Sequence, residues 1–310
     1  GYNVTAFARE AKIDMVDLDI NEAKKPGLKI NQFIKSDAKK FLEKIKKNSN
    51  KISKFTKKNF SWLNYCNKIK RKYKAYPELE EIKNNKYVDP YYFFKILSDS
   101  LPEKALVPLG SSGTCFTVSG QVFESKKEQI VFHAKGMASM GFGLPSSIGA
   151  AIALNKKAYT VMGDGGLQLN IQELQTIINQ NLSIKIFVLQ NQGYHAIRVT
   201  QENYFKKRYI GSSSSTGVRL PNLKKVCKTY GLKYSKISNN KNVKKNIKNI
   251  IKNSKPEIIE VIIDPSKHLT PKLGSFLNKN GKMTSAPLED LSPLLERDEF
   301  KSNMIIKTIS

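Results

Sequence analysis

Ala158-Tyr-Thr-Val-Met-Gly163-Asp164-Gly165-Gly166 opens the stretch that decides the fold, and Leu167-Gln-Leu-Asn-Ile-Gln-Glu-Leu-Gln-Thr-Ile-Ile178 continues it. Ser183-Ile-Lys-Ile-Phe-Val-Leu189 follows and runs into Gln190-Asn191-Gln192-Gly193-Tyr194-His195-Ala196-Ile197. Both short apolar runs are rich in β-branched residues, while Leu167, Ile171, Leu174 and Ile178 repeat at helical spacing. The pattern predicts a β-α-β unit. It sets Asp164 and Asn191 at the carboxyl ends of two parallel strands, where open α/β sheets bind their ligands.

A carboxylate and a side-chain amide both offer oxygen to Mg²⁺ or Ca²⁺, and magnesium usually completes its shell with phosphate oxygens and water. Gly163, Gly165 and Gly166 let the backbone approach a bulky anion, and the following helix turns its amide end toward it. These residues therefore suit a diphosphate held through a bridging metal. A plainer reading makes Asp164 a helix cap and Asn191 a turn residue.

Gly163-Asp164-Gly165 followed by Asn191 resembles the signature of thiamine diphosphate enzymes, a Gly-Asp-Gly with an Asn-Asn pair roughly two dozen residues later. Gln190 stands where that pair has its first Asn. The resemblance implies that Asp164 and Asn191 give side-chain oxygens to Mg²⁺, that Gly193 gives its carbonyl, and that Gly165 and Gly166 line the diphosphate, with Tyr194 beside them. A second segment, Gly136-Met-Ala138-Ser-Met140-Gly-Phe-Gly-Leu-Pro145, resembles the Gly-x-Met-Gly-Phe-Gly-Leu-Pro stretch of the acetolactate synthase family. By that likeness the Ala138 carbonyl accepts from the cofactor's 4′-amino group, and Met140 wedges beneath it to keep the two rings folded into a V. On its own, Met140 could equally be core packing.

Around these segments the chain reads as regular α/β from Asp89 onward. A helix is expected over Pro90–Ser98, strands over Lys104–Leu109 and Gln129–His133, and a small-residue helix over Ser146–Leu154. Beyond the Asn191 turn come a helix over Asn222–Tyr230, a strand over Lys233–Ile237, a helix over Val243–Ile251 and a last strand over Glu257–Ile263. The count suits a doubly wound, mostly parallel six-stranded sheet, preceded by the tail of a second α/β domain. The loop Gly110-Ser111-Ser112-Gly113-Thr114 offers amides and hydroxyls to a phosphate. It departs from the Gly-Gln-His that the family often carries there. Ala196–Thr216 reads as a long polar loop of the kind that carries function. Within the turn before it, His195 could contact substrate or have no role.

The expected domains are 1–45, the end of a middle domain; 46–88, a basic linker with a short helix around Phe60, Leu63 and Ile69; 89–265, the diphosphate-binding domain; and 266–310, a tail or lid. Either Ser36 or Asp37 should cap a helix ending at Ile45, and Asp17 and Asp19 read as a strand-end turn. The chain opens on Gly1 in mid-pattern, which suggests a piece of something longer.

Composition excludes some classes. With 40% hydrophobic residues the chain is globular, and its longest apolar stretch, Leu144 to Leu154, is too short to span a bilayer. Cys66, Cys115 and Cys227 form no metal-ligand or disulfide pattern and read as free thiols of a reducing cytoplasm. The formal charge of +27 is nearly all lysine; arginine is confined to Arg9, Arg71, Arg198, Arg208, Arg219 and Arg297. Base readers use arginine, so a solvated lysine surface is the expectation and a nucleic-acid partner is not.

The resemblance thus implies the C-terminal part of a thiamine-diphosphate- and Mg-dependent enzyme acting on 2-keto acids, decarboxylating one and joining the product to another. It places the activating glutamate on a pyrimidine-binding domain outside this chain, supplied by a second subunit of a homodimer or homotetramer, so the chain alone should be inactive. Thr200 stands near where acetolactate synthases carry a tryptophan. Asn191-x-Gly193-Tyr194 is shared with pyruvate-decarboxylase-like enzymes, but Ile197 replaces their acid. The substrate stays open, as do two alternatives: a cofactor-binding subunit of a split decarboxylase, and a basic nucleic-acid binder.

Overall fold

The computed structural model describes residues 4–49, 60–82, 86–134, 136–277, 280–281 and 283–309. Asn50 and Lys51 of the basic run after Lys46, and Asn278 and Lys279 of the turn ending at Gly281, lie outside these residues. The chain divides into two compact units, one of residues 1–74 with 270–310 and one of residues 75–269.

In the first unit, β1 (Asp14–Asp17) and β2 (Gln32–Lys35) pair in parallel. Asp17 and Asp19 serve the local turn: Asp17 accepts from the Asp19 amide and Asp19 from the Asn21 amide, each at 2.9 Å. Asp37 rather than Ser36 caps the helix Ala38–Lys47, accepting from Lys40 N at 3.0 Å. The helix Phe60–Lys72 meets the helix Arg297–Asn303 through Tyr73, whose hydroxyl donates to Glu299 at 2.7 Å.

The second unit is built on six parallel strands: β3 (Leu106–Leu109), β4 (Ile130–His133), β5 (Ala158–Gly163), β6 (Ile184–Gln190), β7 (Lys233–Ile237) and β8 (Glu257–Ile262). Their order is β4-β3-β5-β6-β8-β7. All of β3 and β5 is buried, and so is β6 up to Leu189, because helices cover both faces of the sheet. Side chains alternate between two apolar layers. Tyr159, Val161, Phe187 and Leu189 join one layer with Phe93, Phe94 and Ile247; Met162, Ile184, Ile186 and Val188 join the other with Leu144, Leu174 and Leu223. Phe187 meets Phe93 edge-on at 5.7 Å between ring centres, and burying such a ring contributes about 1.5–3 kcal/mol.

The helix Pro90–Ser100 begins where Asp89 accepts from Tyr91 N and Tyr92 N at 2.9 and 3.1 Å, with Pro90 in the first turn. The helix Gly143–Leu154 starts three residues earlier than its small-residue run suggests. The apolar repeat after Gly166 forms two short helices, Asp164–Gln168 and Leu174–Asn179, broken between them. The polar stretch after Tyr194 contains a helix, His195–Tyr204, where the sequence reads as a loop. Among the described residues no helix is long and apolar enough to cross a membrane.

From β3 the chain steps outward to β4 and then returns past β3 to β5, so the sheet reverses its winding between β3 and β5. The carboxyl ends of β4, β3, β5 and β6 therefore stand side by side at a switch point.

Candidate functional site

Gly163 pairs with Leu189 in the β5–β6 register, so the two chains leave the sheet together at Asp164 and Gln190. Asp164 is 6% exposed and is the first residue of its helix, after Gly163. Its Oδ1 accepts from Gly165 N at 2.8 Å, while Oδ2 accepts from both Asn191 N and Gly193 N at 3.1 Å. The carboxylate thus ties the β5 turn to the β6 turn, which a simple helix cap does not do. Burial pushes its pKa above the ordinary carboxylate value, and the amides of Gly193, Gly165, Asn191 and Gln192 oppose that shift.

Asn191, 5% exposed, completes the cluster. One terminal atom of its amide lies 2.7 Å from the Gly193 carbonyl oxygen and 3.2 Å from Asp164 Oδ1. With nitrogen in that place it donates to both; with oxygen there, three oxygens converge. Adjacent ligands of an octahedral ion bound at 2.0–2.1 Å sit about 2.9 Å apart, so this spacing fits a small divalent cation. The donor set is one carboxylate, one amide and one carbonyl; no cluster of three or more His, Cys, Asp or Glu suited to a metal occurs among the described residues.

Glycine is required at two points here. Gly193 has φ +119°, and a Cβ on it would stand 2.6 Å from the Ser212 carbonyl oxygen. A Cβ on Gly165 would fall within 2.6 Å of Tyr194 Cδ1, so the tyrosine ring lies directly over the turn. At Gly166 a Cβ would meet nothing within 4 Å. The backbone there is open.

The neighbouring strand ends bring up the other predicted residues. Gly110 is spent on packing: its amide donates to Val161 O at 2.7 Å, and a Cβ would stand 2.9 Å from that of Met162. Ser111 donates to Ser139 O at 2.5 Å, joining the β3 loop to the segment after β4. Ser112 accepts from Cys115 N at 3.2 Å and lies 3.0 Å from its sulfur. The Cys115 thiol is pushed up to about 12 by burial, which removes it as a nucleophile.

Ala138 is exposed with φ +50°. Met140 is 50% exposed, which core packing does not explain. Gly141 next to it, at φ +86°, is held by Asn170, whose Nδ2 donates to its carbonyl at 3.1 Å. His195 is half-buried at the start of its helix, with its amide on Gly193 O at 3.1 Å.

Two residues here carry no prediction from sequence. Asn170 links the break after the Asp164 helix to the Gly141 turn, and nothing in its surroundings distinguishes it from a loop residue. Arg198 sets its guanidinium against four backbone carbonyls, those of Asn191, Gln192, Ser212 and Pro265, at 2.7–3.2 Å. Burial lowers its pKa and the Asp164 charge opposes this. Its one sequence signal is an arginine beside the Asn191 turn in a chain that otherwise uses lysine.

Residues 111–261 match the family described as "Thiamine pyrophosphate enzyme, C-terminal TPP binding domain". The chain is similar to the acetolactate-synthase-like thiamine diphosphate enzymes. It is 29% identical over 271 residues to an acetolactate synthase large subunit of Cyanidium caldarium, covering 86% of this chain and 44% of that protein. It is 28% identical over 251 residues to the large subunit of Lactococcus lactis, covering 77% and 43%. The chain thus spans less than half the length of these relatives. Among solved structures, a thiamine diphosphate-dependent 4-hydroxybenzoylformate decarboxylase of Rhodococcus jostii RHA1 shares the fold at TM-score 0.60 and 18% identity, covering 82% of this chain and 44% of the other. A benzoylformate decarboxylase of Polynucleobacter necessarius does so at TM-score 0.53 and 21% identity, covering 63% and 36%.

Proposed function

We propose that residues 89–265 are the diphosphate-binding part of a magnesium- and thiamine-diphosphate-dependent enzyme acting on 2-keto acids in the manner of acetolactate synthase. The observation that carries this reading is that one terminal atom of the Asn191 amide lies within 3.2 Å of both Asp164 Oδ1 and the Gly193 carbonyl oxygen, at adjacent strand tips. In this reading Asp164, Asn191 and Gly193 O hold Mg²⁺, and the open face at Gly166 receives the diphosphate. Bound thiamine diphosphate supplies an electron sink for decarboxylating the keto acid and for the carbon–carbon bond that follows.

The chain's own residues bind and orient. Buried amides hold the Asp164 carboxylate in place before any cation arrives, which limits reorganisation on binding. Met140 stands half-exposed beside the turn that Asn170 fixes, a position suited to supporting a ring, and Ala138 offers its backbone next to it. Ser111 holds the loop carrying both against the end of β3. The group that activates the aminopyrimidine is assigned, by the family likeness, to a domain outside this chain, contributed by a second subunit. Residues 1–45 are read as the end of a middle domain and 266–310 as a packing arm.

Calorimetry tests this reading. The chain should bind thiamine diphosphate only with Mg²⁺ and weakly, and Asp164→Ala should abolish that binding. Unchanged affinity in the variant refutes the metal assignment.

A further inference from the structure

The turn that would hold the cation has an unfavourable backbone. Gln192 has φ +65° and Gly193 φ +119°, two successive residues on the positive side, and Gln192 has a side chain that disfavours it. Such a turn persists only if its surroundings determine it. Its peptide planes must also point one way: the amides of Asn191 and Gly193 face Asp164, and the Gly193 carbonyl faces the Asn191 side chain.

Arg198 is the group placed to hold it. One turn into the helix His195–Tyr204, its guanidinium folds back toward the helix start. Nη2 donates to Asn191 O at 2.7 Å and Pro265 O at 3.2 Å, and Nη1 to Gln192 O at 3.2 Å and Ser212 O at 3.1 Å. The first and third of these carbonyls belong to the residues just before Gly193. Ser212 O also accepts Tyr194 N at 2.9 Å, so the same atom fixes the residue just after Gly193. All four acceptors are neutral carbonyls, and the arginine's charge works against a nearby cation rather than for it. Its use here is therefore geometric.

We propose that Arg198 is the positioning residue of the cation site: a planar four-carbonyl clamp that holds the Asn191–Gly193 turn in the conformation that presents the Gly193 carbonyl. The inference rests on the magnesium reading above. A lysine keeps the charge but not the rigid fork, so it cannot span the same carbonyls. The helix has other anchors: Gln201 donates to Ile210 O at 2.8 Å, and Glu202 meets His268 Nε2 at 3.2 Å. Loss of the clamp should therefore loosen the turn without unfolding the helix.

The test compares the parent chain with Arg198→Lys and Arg198→Ala, titrating Mg²⁺ at fixed thiamine diphosphate and Mn²⁺ alone by its electron paramagnetic resonance signal. Both variants should need about 10–100-fold more metal for half-saturation, the usual loss when support for a ligand is removed. Cofactor affinity at saturating metal should approach that of the parent, and millimolar methylguanidinium should restore the alanine variant but not the lysine one. Circular dichroism of each variant establishes that it is folded. A folded Arg198→Lys with the parent's metal requirement overturns the clamp, because charge alone would then suffice. Methylguanidinium that leaves the alanine variant unchanged also overturns it. A parent chain that binds thiamine diphosphate without metal removes the magnesium reading itself, a result distinct from either.

Discussion

Replacing Asp164 with Asn separates the carboxylate's structural work from the cation binding proposed for it. In the parent the carboxylate satisfies three backbone amides, those of Gly165, Asn191 and Gly193. The asparagine oxygen can take over the pair at Oδ2, but its NH₂ then faces the Gly165 amide and leaves one buried donor without a partner. That costs about 1–3 kcal/mol, reduced because a buried charge has been removed as well. The unliganded variant should therefore stay folded, with a stability within about 1–3 kcal/mol of the parent. Ligand linkage behaves differently: at one hundred times its Kd a ligand stabilises the native state by about 2.7 kcal/mol. For a domain of this size that raises Tm by about 5–11 °C. Thermal unfolding followed by circular dichroism, with and without Mg²⁺ and thiamine diphosphate, should show the rise in the parent and none in Asp164→Asn. Equal rises in both proteins refute the assignment of Asp164 to the cation.

Gly193→Ala drives a methyl against the Ser212 carbonyl at a positive φ, costing about 1–3 kcal/mol. Metal-dependent cofactor binding should fall while the fold survives, as calorimetry beside circular dichroism will report. On the proposed reading, Met140→Ala in the full-length protein should lower kcat more than cofactor affinity; steady-state kinetics with an unchanged kcat would remove the wedge. Lys185→Met leaves the Glu257 carboxylate buried without its 2.9 Å partner, both side chains being 0% exposed. Such a loss costs about 3–5 kcal/mol, measurable by urea unfolding, and adding Glu257→Gln should recover much of it. In the parent, burial raises the Glu257 carboxyl, but Ser235, Lys185 and Lys233 outweigh it and hold the group below the ordinary carboxylate value. The stability from this pair is therefore present above that value and lost as pH falls through the folded one, so the deficit of Lys185→Met should be full near neutral pH and shrink in acid.

The parallel sheet was legible because β5 and β6 are written in β-branched runs with glycine or amide turns at their ends. Asp164 and Asn191 were legible as a pair because the strand register puts them together. What the sequence hides depends on distant partners. Helix His195–Tyr204 has no side-chain cap and no apolar stripe; Arg198 ties it to Ser212 and Pro265, 14 and 67 positions away. The helix after Gly166 looks continuous by its apolar repeat, yet it breaks where Asn170 turns aside to the Gly141 carbonyl, 29 positions back. Lys185 interrupts an apolar run, and only the pairing of β6 with β8 brings Glu257 to it.

The Asn191 amide has a further consequence. Turned one way it closes the ring with its own hydrogen bonds, and turned the other it opens an oxygen-lined seat. On the proposed reading, a half-rotation of this one side chain would exchange an internal hydrogen bond for an ion. On that reading the backbone bonds that hold Asp164 need not change for an ion to enter.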